Sequence, residues 1–355
     1  MDILVQDFNP VNMLRVEEHP TPKAKYPVID MHTHWGPIMV GKDYATKYDT
    51  PKVIEELKKY NVVKTFNPDR IWDESLAAMR RKLEGYEDFV ETVPSIDYAR
   101  LDEPDFPEYV DRYFKMYKEQ GVKAIKLWKD MTLMIKDKNG RYVRLDDERY
   151  DPIFACAGKY DLPLIIHVGD PHCLFTPVDG RNEYYFIMKD HPEWSYIGDE
   201  YFDFDCHMEM QENVIARHPE TTFVVAHIGS AGEDLAIVDA MMAKYPNMYI
   251  DLAARLSEIG RQPYTARKFF LKYPDRIMFG TDFQADYDPG IFYPPYFRFL
   301  ETMDEYFDYM GEPHNRDYGA WKIYGIGLPD DILKKIYYET AQKVFKLPSL
   351  KSNMS

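Results

Sequence analysis

The feature that most constrains the fold of this 355-residue chain is a regular alternation of two kinds of segment. Short, almost wholly apolar runs recur at Val28–Met31, Val62–Phe66, Phe89–Ile96, Val122–Trp128, Leu162–Val168, Thr222–Ala226, Met248–Leu252 and Ile277–Phe279. Between them, apolar residues return at helical spacing, as in Val53, Ile54, Leu57 and Tyr60, or Val110, Tyr113, Phe114 and Tyr117. Thr50-Pro51 and Asp151-Pro152 each offer a cap followed by a proline at the first helical position, Asp73 is placed to cap the next helix, and Gly121 is placed to end one. The pattern predicts eight strands alternating with eight helices. Strands with so few polar residues suit a parallel sheet covered on both faces. Strict alternation with right-handed crossovers closes into a (β/α)8 TIM barrel, an α/β fold. A doubly wound open sheet would carry a Gly-rich fingerprint after the first strand, and none stands there.

The barrel is expected over residues 27–348, with an irregular arm at 1–26 and a tail at 349–355. Two segments without periodicity, Asp170–Asp205 after strand five and Phe283–Leu328 after strand eight, are expected as long loops overhanging the barrel mouth. The first holds His172 and Arg181; the second holds Phe292-Tyr293-Pro294-Pro295-Tyr296-Phe297 and Trp321. These aromatics would stack on a substrate ring, pack the loops themselves, or form an interface between copies in a homo-oligomer.

The net charge is -16, which argues against nucleic acid or an anionic membrane as partner and leaves a small molecule. Three cysteines without CxxC spacing fit a reducing compartment. The first residues lack a basic and then apolar leader, and no apolar run is long enough to span a bilayer, so a cytoplasmic location is expected.

Chemistry in such a barrel stands at the C-terminal strand ends. His32 and His34 follow strand one, separated by one residue, so in extended backbone both rings point the same way and can share a divalent cation, zinc before others. Lys126 lies within strand four, His167 ends strand five, His227 ends strand six, and Asp282 follows strand eight. Four of only ten histidines fall at these ends. A lysine inside an apolar strand is costly unless it is paired or altered, so Lys126 is expected either as a carbamate bridging two cations or as an ammonium meeting a substrate carboxylate. Arg70, Arg100 and Arg255 follow strands two, three and seven, where a guanidinium suits a substrate carboxylate.

The ordered set Ile29-Asp30-Met31-His32-Thr33-His34, Leu164-Ile165-Ile166-His167, Val224-Val225-Ala226-His227-Ile228-Gly229 and Met278-Phe279-Gly280-Thr281-Asp282 resembles the amidohydrolase superfamily. The likeness is to its amidohydrolase 2 branch, which includes aminocarboxymuconate-semialdehyde decarboxylase and resorcylate-type decarboxylases. Tyr338–Phe345 is similar to that branch's closing helix, with Thr340 where Asn often precedes the alanine. The resemblance implies that His32, His34, His167 and Asp282 bind the metal, and that His227 polarises the substrate or binds a second ion. It therefore implies one or two divalent ions per chain. The expected activity is hydrolysis of an amide, lactone or ester in a small, cyclic or carboxylated substrate, with Asp282 as base then acid and His227 donating to the carbonyl oxygen. The alternative is non-oxidative decarboxylation of a small aromatic or unsaturated acid. Arg70, Arg255, His172 and Arg181 are the expected substrate-binding residues.

Overall fold

A computed structural model describes residues 2–4, 7–8, 11–310 and 321–350. Eight strands form the barrel in chain order: β1 (Val28–Asp30), β2 (Val62–Asn67), β3 (Val90–Thr92), β4 (Ile125–Leu127), β5 (Leu164–Ile166), β6 (Phe223–Val225), β7 (Met248–Asp251) and β8 (Ile277–Met278). All neighbours in β1–β3 and in β4–β8 pair parallel. Single backbone bonds bridge the two arcs: Lys126 N donates to Pro94 O at 2.8 Å, and Met31 N to Phe279 O at 3.0 Å. The ring is thus the (β/α)8 barrel that the alternation predicts.

The pleat sorts side chains by parity. Ile165 and Val224 join a cluster inside the barrel with Ile29, Phe66, Val93, Ala124 and Met278, whereas Leu164, Ile166, Phe223 and Val225 face the helices. In β4 the same parity turns Ile125 and Leu127 outward, so Lys126 follows Ala124 inward. The outer helices are α1 (Thr50–Lys59), α2 (Asp73–Lys82), α3 (Phe106–Glu119), α4 (Asp151–Tyr160), α5 (Phe204–Arg217), α6 (Leu235–Lys244) and α7 (Pro263–Lys272). The chain closes with three consecutive helical segments, Asp330–Lys334, the π turn Lys335–Glu339 and Thr340–Val344. Ala341, Val344 and Phe345 from this end pack against the interior cluster.

Several local expectations are corrected. Asp49, not Thr50, caps α1, its side chain accepting from Lys52 N, which leaves Thr50 as the first helical residue. Asp73 does not cap α2; Ser75 bridges the Trp72 backbone instead, donating to Trp72 O and accepting from Trp72 N. The segment after β5 is not a bare loop. It contains the turns His172–Phe175 and Pro192–Trp194 and the helix Tyr185–Asp190, held by a cluster of Leu174, Tyr184, Ile187, Met188 and Tyr196 against Leu133. The segment after β8 contains α8 (Pro289–Glu301), so Tyr293, Tyr296 and Phe297 are buried helix residues around Phe279 rather than loop aromatics over the mouth. Trp321 packs against the first segment, its ring 3.9 Å from the Arg261 guanidinium. Residues 311–320 of the second segment and 351–355 of the tail lie outside the described residues. The arm is fastened at His19, whose Nδ1 lies 2.6 Å from the buried Asp304. No helix among the described residues is long and apolar enough to cross a membrane.

Candidate metal centre

Beyond β1 the chain bends and runs on as a two-residue strand, Thr33–His34, paired parallel with Phe283–Gln284. This small ladder is what sets the two histidines against Asp282: Asp282 N donates to His32 O at 2.8 Å, and Ala285 N to His34 O at 2.9 Å. Asp282 takes a left-handed backbone, φ 68°, which turns its carboxylate inward. Its Oδ1 then lies 2.9 Å from His34 Nε2 and 3.7 Å from His32 Nε2. The other nitrogen of each ring is tied to a carboxylate. His32 Nδ1 donates to Asp251 Oδ2 at 2.9 Å, and His34 Nδ1 to Asp69 Oδ1 at 2.8 Å.

His227 is aimed by strain. His227 and Ile228 both have left-handed backbones, φ 59° and 56°, a costly conformation for a β-branched residue that persists only where surroundings enforce it. Asp251 helps to enforce it, accepting from His227 N at 2.8 Å and from Ala253 N at 3.0 Å. His227 Nδ1 donates to Ala253 O at 2.9 Å, which leaves Nε2 with a lone pair. The ring centroid is 4.8 Å from that of His32 and 4.2 Å from that of His167.

Two sets of donor atoms converge within 4.8 Å among the described residues: His32, His34 and Asp282, and His32, His227 and Asp251. His167 belongs to neither set. Its Nε2 lies 3.5 Å from Asp170 Oδ1, too long for a good hydrogen bond. Lys126 is fully buried, its Nζ 5.3 Å from the Trp128 ring centre and without a hydrogen-bond partner. His167 Nε2 and Lys126 Nζ thus stand buried without hydrogen-bond partners beside imidazoles oriented by carboxylates, a donor arrangement that fits a divalent cation.

The charges follow from the geometry. Burial and then the nearby Lys126 lower the His32 ring. Burial would lower His34 too, but its bonds to Asp282 and Asp69 lift it to about 9. Burial drives His167 down to about 3, holds His227 well below its ordinary value, and brings Lys126 down to about 8. Asp282 resists its burial because the His34 hydrogen bond and charge hold it well below the usual carboxylate range.

The four proposed substrate contacts separate. Arg255 is buried, only 6% exposed, with Nε unpartnered, and its charge acts on His227. Arg70 is half-buried against Asp130 at 2.8 Å and over the Trp72 and Tyr98 rings. Arg181 is exposed and folds back onto Asp179 at 2.7 Å, and the His172 ring stacks on Phe204. Arg100 is held by Glu103 and Asp105. Sequence reasoning missed Asp69 and Asp251. Asp251 carried a usable signal, as the one acid within the seventh apolar run.

The family model described as Amidohydrolase matches residues 29–347. No curated protein matches the sequence. Among solved structures, the chain is similar to an uncharacterised TIM-barrel protein from Bordetella bronchiseptica, at 15% identity and TM-score 0.56, covering 90% of this chain and 99% of that one. It is similar to dihydroorotase from Campylobacter jejuni at 13% identity and TM-score 0.52, covering 94% and 87%. It is also similar to 5-carboxyvanillate decarboxylase from Novosphingobium aromaticivorans, complexed with manganese and 4-hydroxy-3-methoxy-5-nitrobenzoic acid, at 15% identity and TM-score 0.52, covering 92% and 99%. At these identities the likeness shows the fold, and hydrolase and decarboxylase stand side by side within it. With the family model running through every barrel strand and every residue of the converging set, the chain belongs to the amidohydrolase family.

Proposed function

We infer that the protein is a metal-dependent hydrolase that cleaves an amide, lactone or ester bond in a small carboxylated substrate. The observation that carries this reading is the convergence of His32 Nε2, His34 Nε2 and Asp282, with Asp251 and Asp69 fixing both imidazoles from behind. Such carboxylate–histidine pairs fix the tautomer and raise ligand basicity. His32, His34 and Asp282 would hold a divalent cation, zinc or manganese, which when bound would supply Lewis acidity.

The remaining work falls to side chains. Asp282, whose side chain is 21% exposed, takes the proton of the attacking water and returns it to the leaving group. His227 has committed its Nδ1 proton to Ala253, so it offers a lone pair and serves a second cation better than it serves a developing oxyanion. Lys126 would join it after its neutral amine adds CO2 and loses a proton. His167, neutral because burial depresses it, completes the ring of donors. Arg255 binds the substrate carboxylate through its unpartnered Nε, its Nη1 already donating to Ala254 O at 2.7 Å. Arg70, Arg181 and His172 are secondary contacts, since each is already held by a neighbour.

The second reading, decarboxylation, draws its support from that same buried arginine. The test is to strip the protein, reload it with zinc or manganese, and offer lactones, amides, esters and hydroxybenzoates. Hydrolysis that disappears in Asp282→Asn supports the proposal. CO2 release without hydrolysis, or failure to bind an ion stoichiometrically, overturns it.

A further inference from the structure

A cavity of about 300 Å³ opens beside Pro171, His172, Cys173, Thr176, Arg181, Asn182 and Glu183 of the segment after β5, Glu233 after β6 and Glu258 after β7, and the charge of Arg181 is already spent on Asp179. It lies at the same barrel end as the histidines, and Asp170, which faces His167, leads directly into its wall. Three glutamates line it, and their oxygens are not equally spent. Both oxygens of Glu183 accept from Arg261, at 3.0 and 2.9 Å. Glu258 accepts from Tyr184 on Oε1 and from Ser257 on Oε2. Glu233 accepts from His172 N on Oε1, while its Oε2 is buried and has no partner. The amide nitrogen of Asn182 is used by Cys173 O and its oxygen by Tyr184 N. Arg255, more than nine-tenths buried and with its Nε unpartnered, exerts its charge on both Glu233 and Glu258. A buried carboxylate oxygen left without a donor is expensive, and the cost is recovered when a ligand supplies that donor.

We propose that Glu233 is a specificity-determining residue, its free Oε2 accepting a hydrogen bond from a hydroxyl or ammonium group that the substrate carries away from the bond to be broken. The proposal rests on the hydrolase reading and narrows it: the substrate is a small carboxylate with a donor arm, its carboxylate on Arg255 and its donor on Glu233. Burial, and then the charge of Glu258, raise the Glu233 carboxyl. A cationic donor offsets both influences, so the ammonium form is favoured over the hydroxyl.

Three probes of matched size test this on the metal-loaded protein: 4-(aminomethyl)benzoate, 4-(hydroxymethyl)benzoate and 4-ethylbenzoate. Dissociation constants are read by calorimetry for the wild type, Glu233→Gln and Glu233→Ala. A hydrogen bond to a buried charge predicts that at least one donor probe binds about tenfold or more tightly than the ethyl compound. That ratio collapses toward one in Glu233→Ala. Glu233→Gln keeps an oxygen for His172 N and so keeps the loop anchored, yet it loses most of the preference for the ammonium probe. Wild type that does not discriminate, including one that binds none of the three, overturns the proposal, as does a ratio that survives in both variants. Binding is scored without turnover. Discrimination that depends on Glu233 in a protein that hydrolyses no amide, ester or lactone therefore leaves the subsite standing and removes the hydrolase reading.

Discussion

Asp251 holds His32 from behind, its Oδ2 2.9 Å from the ring Nδ1, while its Oδ1 accepts the backbone N–H of His227. One buried carboxylate thus fixes the tautomer of one imidazole and the strained backbone that aims another. Replacing it with Asn keeps the shape but removes the charge, and the amide must point its NH2 group at one of these donors. Asp251→Asn is expected to weaken divalent-ion affinity by about 10–100-fold, as carboxylates behind metal-bound histidines commonly do. Competition with a chromophoric chelator measures this. An unchanged affinity in a folded variant would remove Asp251 from the centre.

The state of His34 sets how ion binding depends on pH. Without an ion, its ring bonds to both Asp69 and Asp282 and is lifted to about 9, so at pH 7.5 it carries a proton. An ion at Nε2 must displace that proton. Binding at pH 7.5 is expected to release about one proton, affinity to fall as pH drops below 9, and the dependence to flatten above it. Calorimetry in two buffers of different ionisation enthalpy reads the proton count directly. Zero release would show that His34 is neutral or is not a ligand.

Lys126 is a liability to the ion-free fold. Burial is the main cause of its fall from 10.5 to about 8, a shift only partly opposed by Asp251 and Asp282. The folded state therefore bears the full penalty below pH 8, part of it between 8 and 10.5, and none above, where the amine is neutral in both folded and unfolded chains. At about 1.4 kcal/mol per unit, Lys126→Met is expected to stabilise the ion-free protein by about 3 kcal/mol at pH 7, with the gain vanishing near pH 10.5. Urea unfolding at the two pH values checks both magnitude and sign. A destabilised variant at pH 7 would mean that the ammonium is satisfied in the fold.

The contrast between what could and could not be read in the chain follows from which interactions are local. The barrel was legible because parity and helical spacing are local properties, and because β5 and β6 hold almost no polar residue before His167 and His227. His32, His34 and Asp282 were legible as strand-end residues, and the structure brings them together. The left-handed turn at His227 was not, since Asp251, 24 residues later, enforces it. Asp69 follows Asn67-Pro68 and reads like any turn acid; only its 2.8 Å bond to His34 marks it. In α8, Pro294 and Pro295 disguise the helix, because proline removes backbone donors and normally ends one. Burial of Tyr293, Tyr296, Phe297 and Phe299 holds it together, and that gain depends on partners distant in sequence.

The opposite end of the barrel offers a separate test of the architecture. Phe345 follows the closing helix, is 2% exposed, and packs on Phe66 with ring centres 4.6 Å apart. The next residue, Lys346, pairs with Asp161, which stands just before β5, so this plug closes the N-terminal mouth. Barrels keep stability at that face and chemistry at the other. Phe345→Ala opens a void against Ile29, Phe66 and Met278 and is expected to cost about 3–5 kcal/mol of stability. Because the ion ligands stand at the far end of the same strands, ion affinity below the unfolding transition should stay within about twofold of wild type, as distant sites usually act independently. Chemical denaturation and ion titration on one preparation separate the two quantities. A large loss of ion affinity with little loss of stability would contradict the assignment of the two faces.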